Sequence, residues 1–214
     1  MKKFFLILFL IAFFPIKVFA LIEVDITRGN LNPLPLAVSP LSIDDKSKKS
    51  FEKILKKENI GSEISTIVEN NLRTSGLFNP LNRDAFLQAP DIANLKPRFE
   101  DWNLIKAQAL ITGKVTYVDE KLRVEFRLWD ILAAKEMMAL AFTTVPSNWR
   151  RVGHIISDKV YERLTGEKGY FDTRIIYVAE EGPKTQRKKR LAIMDQDGAN
   201  NKFLTLGNEL VLTP

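Results

Sequence analysis

The chain has 214 residues, with 32 Lys and Arg against 26 Asp and Glu, one His and no Cys, and 45% of its residues are hydrophobic. This composition is typical of a globular protein with one modest domain and an appendage. The missing Cys excludes thiolate zinc sites, disulfides and a Cys nucleophile. The single His disfavours a His-rich metal site or a His-paired catalytic triad, so we expect no catalytic, cofactor or metal site.

The N-terminus has the pattern of a cleaved export signal. Lys2 and Lys3 precede an apolar run at residues 4–14, and Ala20 is small enough to end a signal before Leu21. The sequence therefore predicts cleavage between Ala20 and Leu21 and an exported mature chain.

A membrane anchor is the competing interpretation of this region. Pro15 and Lys17 interrupt the apolar run and leave it far short of the about 20 residues that a spanning helix needs. We therefore expect no stable membrane insertion after cleavage. Loss of the three lysines in the signal lowers the formal net charge from +6 to +3.

The predicted mature chain begins with a strand. Ile22, Val24 and Ile26 alternate with polar residues, which is the period of a half-buried strand, and a flexible Pro-containing segment follows at residues 32–35. Such a terminal strand either completes its own sheet or pairs with the exposed edge of another protein. The residues alone favour an ordinary edge strand.

The next predicted elements combine short strands, helices and loops. In chain order they are a buried strand at 36–38, a solvated lysine-rich helix or loop at 44–58 that is not expected to be a binding patch, a helix capped by Ser62 and ended by Gly76, an Asn-Pro corner at 77–81, a loop at 90–97 and a helical turn at 99–104.

Three alternating runs predict an antiparallel meander. The first two are residues 109–118 and 122–128, joined by a tight turn at 119–121, and the third begins at Met137. Gly113 inside the first strand indicates a bulge or a close approach of two backbones.

The clearest helix follows the meander and extends to residue 165. Val152, Ile156, Val160 and Leu164 form its apolar stripe, and Trp149 at its start is predicted to anchor the core. His154 lies off this stripe, so the pattern predicts a histidine at the rim or facing solvent.

The last 41 residues read as short strands separated by turns, which is close to the about 40 to 45 residues of one propeller blade. A propeller needs about four blades or more, so the sequence predicts an incomplete propeller.

Two motifs within these residues have simple interpretations. The basic run at 186–190 contains no aromatic residue, which favours a solvated hairpin tip over a nucleic-acid site. Residues 195–198 lack the spacing of a calcium loop and predict a hairpin turn.

Several segments together resemble the TolB family of the bacterial Tol-Pal envelope system. They are Ser-Gly-Leu-Phe-Asn-Pro-Leu at 75–81, Ile-Thr-Gly-Lys-Val at 111–115, Leu-Trp-Asp at 128–130, Ser-Asp-Lys-Val-Tyr-Glu-Arg-Leu-Thr-Gly at 157–166 and Arg-Ile-Ile-Tyr-Val at 174–178. They occur in the family's order, so we regard the resemblance as specific.

The resemblance implies a noncatalytic periplasmic adaptor that connects the inner-membrane protein TolA with the outer-membrane lipoprotein Pal, supporting outer-membrane invagination during cell division and envelope integrity. It assigns binding of the TolA C-terminal domain to the mature N-terminus and so reverses the preference for an ordinary edge strand. The matching residues here are Leu21, Ile22, Glu23, Val24, Asp25, Ile26, Thr27, Arg28, Gly29, Asn30, Leu31 and Asn32.

One departure concerns Pal, because the family binds Pal through the propeller and this sequence contains only the beginning of a first blade. We therefore expect the Pal-binding surface to be absent here. If the chain exists as written, its apolar strands at 175–178 and 191–194 are expected to expose unpaired edges.

The expected fold is α/β of the α+β type, a mixed sheet packed by two main helices and followed by an incomplete β-propeller blade. Its expected divisions are a signal peptide at 1–20, a partner-binding strand and linker at 21–35, a TolB-like α/β domain at 36–172 and the blade at 173–214. A periplasmic ligand-binding α/β module remains an alternative, as does the accessory domain of a hydrolase, although the sequence has no Gly-x-Ser-x-Gly motif.

Overall fold

A computed structural model describes residues 32–183 and 186–207 of the chain. The strands are β1 (Leu34–Val38), β2 (Ser42–Ile43), β3 (Phe78–Pro80), β4 (Ala109–Val118), β5 (Lys121–Asp130), β6 (Lys135–Thr144), β7 (Arg174–Glu181), β8 (Lys188–Asp195) and β9 (Lys202–Phe203). The α-helices are α1 (Asp45–Leu55), α2 (Ile60–Thr74), α3 (Pro90–Leu95), α4 (Phe99–Leu104) and α5 (Trp149–Thr165). No helix in these described ranges is long and apolar enough to cross a membrane.

The larger sheet is mixed, with the order β3-β1-β4-β5-β6, and β2 pairs with β4 beside β1. β1 runs parallel to β3 and β4, whereas β4, β5 and β6 form the predicted antiparallel meander. In this register Leu36 pairs with Ala109 and Leu34 with Phe78. β1 therefore lies inside the sheet, between strands that come much later in the sequence.

Two helices cover one face of this sheet and enclose the main core. The apolar residues of α2 and α5 recur at helical spacing and pack against the inward side chains of β1, β4 and β5. The buried helix residues are Ile60, Ile64, Ile67, Val68 and Leu72 from α2, and Trp149, Val152, Ile156, Val160 and Leu164 from α5. The predicted mixed sheet with two main helices is confirmed, as is Trp149 as a core anchor.

The opposite face of the sheet is covered at one end by the segment that carries α3 and α4. Trp102 and Trp129 form the centre of this second core. The Trp102 indole N–H donates to Gln88 at 2.6 Å, and the Trp129 indole N–H donates to Thr112 at 2.9 Å.

The prediction of a simple loop at 90–97 is wrong, because residues Pro90–Leu95 form the short helix α3 with Pro90 in its first turn.

Two further local predictions need correction. Asn59, not Ser62, caps α2, and its side-chain oxygen accepts the Ser62 N–H at 3.1 Å. The helix therefore begins three residues earlier than the Ser62 pattern indicated. The Asn79-Pro80 segment is also more than a corner, because it forms β3 at the sheet edge, where proline is tolerated.

Gly113 is a point of close approach, as predicted. A Cβ atom at this position would lie 2.3 Å from the Glu125 carbonyl oxygen on β5 and 2.7 Å from the Leu41 side chain. Only glycine allows β4, β5 and the residues before β2 to come together here.

The C-terminal strands form a separate antiparallel sheet with the order β7-β8-β9. Ile175 and Ile176 on β7 are 40% and 49% exposed, and Phe203 on β9 is 46% exposed. These apolar side chains leave part of the smaller sheet uncovered within the described residues. The fold class predicted from the sequence, an α/β domain followed by propeller-type strands, is confirmed.

Candidate functional site

The segment predicted to bind TolA lies almost entirely outside the described residues. Residues 21–31, together with the predicted cleavage point between Ala20 and Leu21, are not described, and Asn32 is exposed where the description begins. Leu34, the first residue of β1, donates its N–H to the Leu77 carbonyl oxygen at 2.9 Å. The N-terminal segment is thus joined directly to an internal strand of the sheet.

A cluster of charged residues lies where α5 meets the C-terminal strands. Arg150 forms an ion pair with Asp197 in the turn between β8 and β9. Arg151 donates to both carboxylate oxygens of Asp172 just before β7, at distances of 3.1 Å to Oδ1 and 3.0 Å to Oδ2. Arg174 lies 3.7 Å from Asp195. The two contacts of Arg150 and Arg151 join α5 to the C-terminal part of the chain, whereas the Arg174–Asp195 contact lies within the C-terminal sheet. A cavity of about 400 Å³ lies beside them.

His154 belongs to this contact, and the prediction that it lies at the rim or faces solvent is wrong, because it is buried. Its residue exposure is 2%, and its Nε2 lies 3.8 Å from the Asp197 carboxylate. The apolar stripe of α5 marks only the side that faces the sheet. A second side is covered by α2 and the β8–β9 turn, and it is this side that buries His154.

A hydrogen-bond network determines which nitrogen of His154 carries the proton. Asn71 on α2 donates through its side-chain Nδ2 to His154 Nδ1 and to the Ser157 hydroxyl, both at 2.9 Å. Ser157 in turn donates to the Gly153 carbonyl oxygen at 2.9 Å. His154 Nδ1 must therefore act as an acceptor, which leaves the proton on Nε2, directed at Asp197.

Burial lowers the pKa of His154 below its ordinary value. The negative charges of Asp197, Asp195 and Asp172 oppose this shift, and the positive charge of Arg150 reinforces it. The imidazole is consequently neutral near pH 7, and its Nε2 has no hydrogen-bond partner within the described residues.

His154, Asp195 and Asp197 also place possible metal-ligand atoms within 4.8 Å of one another. A metal ion at this point would need the lone pair of Nε2, whereas the Asn71 amide, in the orientation observed, favours the tautomer with the proton on Nε2. Arg150 already neutralises Asp197. The arrangement is therefore better suited to an ion-paired contact than to a metal centre. Residues 195–198 form the predicted turn, in which the Gly198 N–H donates to the Asp195 carbonyl oxygen at 2.9 Å.

Sequence patterns did not indicate the other residues of this contact. One signal for a charged contact was available in the sequence: Arg150 and Arg151 lie in the first turn of α5, which contains no acidic residue. The first turn of a helix normally favours carboxylates, so two arginines there indicate acidic partners elsewhere in the chain. Their partners Asp172 and Asp197 lie in connecting segments, where no periodicity relates them to α5.

The segment at 157–166 has a structural role at the same junction. Asp158 accepts the Phe171 N–H at 2.6 Å on one carboxylate oxygen and the Asp172 N–H at 3.1 Å on the other. Gly166 ends α5 in the left-handed conformation, with φ of 76°. These residues fix the connection between the helix and β7.

The structure defines a class of protein in which an α/β domain, built on a mixed sheet, precedes propeller-type strands. The TolB amino-terminal domain family matches residues 22–137, and the TolB beta propeller domain family matches residues 161–214. The first match covers more than half of the chain, and the chain belongs to the TolB family.

Two known proteins show the extent of the similarity. The Tol-Pal system protein TolB of Pelagibacter ubique (strain HTCC1062) is 83% identical over 212 residues, which is 99% of this chain and 47% of that relative. The chain thus spans about half the length of the curated relative it matches. The crystal structure of TolB from Acinetobacter baumannii matches 81% of this chain and 38% of its own, with a TM-score of 0.65 and 24% identity, which supports the fold.

Proposed function

We propose that this chain acts in the Tol-Pal system as a noncatalytic periplasmic adaptor. In this proposal the mature N-terminus at residues 21–32 binds the C-terminal domain of TolA, and the interaction supports outer-membrane invagination during cell division and envelope integrity. The high identity to the Tol-Pal system protein TolB of Pelagibacter ubique carries the proposal, because it extends over 99% of this chain.

We also propose the division of the chain that underlies this function. A signal peptide at 1–20 is removed during export to the periplasm, residues 21–35 form the binding strand and linker, residues 36–172 form the α/β domain, and residues 173–214 begin the propeller. N-terminal sequencing of the exported protein tests the first boundary, and a first residue other than Leu21 contradicts it. Pal is a partner of the propeller in this proposal, and no Pal-binding residue is assigned in the present chain.

Binding by strand addition is the mechanism we propose for TolA. An extended segment donates and accepts main-chain hydrogen bonds at the edge of a partner sheet, while alternate side chains enter pockets. Ile22, Val24 and Ile26 have the spacing for this role. The described domain begins at β1 with Leu34 already hydrogen-bonded, so the segment before it can pair with a partner without breaking that contact.

Titration of purified TolA C-terminal domain with the mature chain tests the proposal. A chain beginning at Leu21 is expected to bind, and one beginning at Pro33 is expected not to bind. Substitution of Ile22, Val24 and Ile26 by Asp in the longer chain should abolish binding as effectively as the deletion, because buried carboxylates are costly to desolvate.

The matched control replaces Glu23, Asp25 and Thr27 by Ala in the same segment. These side chains alternate with the apolar ones, so the control should retain most of the binding. Equal binding by the long and short chains would place the TolA site elsewhere. Absence of binding by both folded chains would contradict the adaptor function and favour the ligand-binding alternative.

A further inference from the structure

The outer face of α1 carries a continuous row of positive charge. The inner face is fixed by Phe51, which is fully buried and packs edge-on against Tyr117 at 5.4 Å, and by Ser47, whose hydroxyl accepts the Tyr117 N–H at 2.8 Å. At 3.6 residues per turn, Lys46, Lys49 and Lys53 fall within an arc of about 60° on the opposite, exposed side, and the exposed Lys56 follows at the C-cap in a left-handed conformation. We call this set the lysine stripe: Lys46, Lys49 and Lys53 on the helix and Lys56 at its C-cap.

The lysine stripe has no counter-ion among the described residues. No carboxylate in the described ranges forms an ion pair with any of its four members, although neighbouring Lys57 pairs with Glu63 at 2.5 Å. Other surface cations are paired, such as Arg83 with Glu69 at 3.1 Å and Arg98 with Asp101 at 2.6 Å. Residues 44–58 contain six lysines against four acids, and Asp44 is used to cap the helix.

The lysines of the stripe contribute both repulsion and attraction along α1. Like charges three and four residues apart repel each other along a helix, whereas Asp45 and Glu52 lie four residues before Lys49 and Lys56, at the edge of the stripe, without forming an ion pair with them in the described structure. The helix keeps its position through Phe51 and the Asp44 cap rather than through its outer face. The charge of the lysine stripe is therefore available for an external partner.

We propose that the lysine stripe binds the anionic headgroups of a phospholipid membrane. Lysine is depleted at protein–protein interfaces, where arginine and aromatic residues dominate, and this stripe contains neither. Flexible ammonium groups act as point charges, which suits a fluid, phosphate-bearing surface. Clusters of about four to eight Lys or Arg are typical of such adsorption, and each residue contributes about 1 kcal/mol. Phe51, the largest apolar side chain of α1, is fully buried in its own domain, so the helix binds at the surface without inserting.

Vesicle sedimentation tests this proposal with the exported, processed chain. The chain is expected to bind vesicles of equal parts phosphatidylcholine and phosphatidylglycerol, to bind phosphatidylcholine alone much more weakly, and to be released by high salt. Substitution of all four stripe lysines by Gln is expected to weaken binding to the anionic vesicles by at least about tenfold. Thermal unfolding of this variant should occur at nearly the same temperature, because exposed charges contribute little to stability.

The matched control changes four exposed lysines that are scattered over the described surface: Lys96, Lys121, Lys168 and Lys202 to Gln. It has the same net charge as the stripe variant and should retain most of the binding. Equal weakening in both variants, or no binding by the unaltered chain, would overturn the proposal. Retention on immobilised polyglutamate without binding to anionic vesicles would overturn it in favour of an acidic protein partner. TolA binding is expected to be unchanged in the stripe variant, which separates this proposal from the adaptor function.

Discussion

The side-chain amide of Asn71 on α2 donates a 2.9 Å hydrogen bond to Nδ1 of His154 on α5. The contact joins the two main helices and at the same time keeps the proton of the neutral imidazole on Nε2. Protonation of Nδ1 would bring two donors face to face, so the network opposes the charged form in addition to the desolvation that burial imposes. The same imidazole directs its N–H at Asp197, in the turn between β8 and β9.

The titration of His154 should show these opposing influences. We expect a pKa below the ordinary value of about 6.5, and we expect Asp197→Asn to lower it further, because the Asp197 charge favours the imidazolium. The chain contains a single histidine, so the imidazole C–H resonances in an NMR titration report this group alone. Asp119→Asn, in an exposed turn, is the matched control and should leave the midpoint unchanged. A midpoint above 6.5 would contradict the burial argument.

Stability should depend on pH through the same group. Because the folded pKa lies below the unfolded one, the unfolded chain takes up the proton first as the pH falls, and the free energy of unfolding decreases from about pH 7 downward until the folded form is also protonated. His154→Gln stays neutral and can still accept from Asn71, so its stability should change less between pH 7.5 and 5.5. Urea unfolding at several pH values measures both chains, and parallel pH profiles would count against the prediction.

Local elements of this fold were predictable, and non-local ones were not. The meander follows from alternation in residues 109–128 and from a short turn, all of which are neighbours in sequence. The position of β1 between β3 and β4 depends on pairs such as Leu36 with Ala109, which no local pattern contains. The mixed sheet was therefore expected, but its strand order was not.

The buried histidine was missed for a related reason. Helical periodicity in α5 identifies a single apolar face, and His154 lies away from it. Its burial depends on Asn71 from α2 and on the turn at Asp197, two partners that are distant in sequence and polar. Polar contacts between elements leave no periodic signal, so most of this charged junction became visible only in the folded chain.

The turn between β4 and β5 contains avoidable strain. Asp119 and Glu120 both have left-handed backbones, with φ of 50° and 58°, as in the tight hairpin turns that favour glycine at the second position. Glycine relieves the backbone strain of the folded turn, but it also gives the unfolded chain more conformational entropy. Because the first contribution is the larger, Glu120→Gly should raise the free energy of unfolding by about 0.5–1 kcal/mol. Glu120→Ala removes the same charge but keeps a Cβ, so it should give no comparable gain. Equal stabilisation by both would attribute the effect to charge.

Asp158 is expected to control the link between α5 and β7. Its two carboxylate oxygens each accept a different backbone N–H, from Phe171 and from Asp172. In Asp158→Asn one oxygen becomes an NH₂ group that faces a donor, so one backbone N–H loses its partner at a cost of about 1–3 kcal/mol. Limited proteolysis should then cut faster within residues 166–173, while Glu162→Gln, an exposed carboxylate on the same helix, should leave the cutting rate unchanged. If Asp158→Asn resists proteolysis as well as the unaltered chain does, the prediction is wrong. The packing of Phe171, which is fully buried, would then hold this connection without the aspartate.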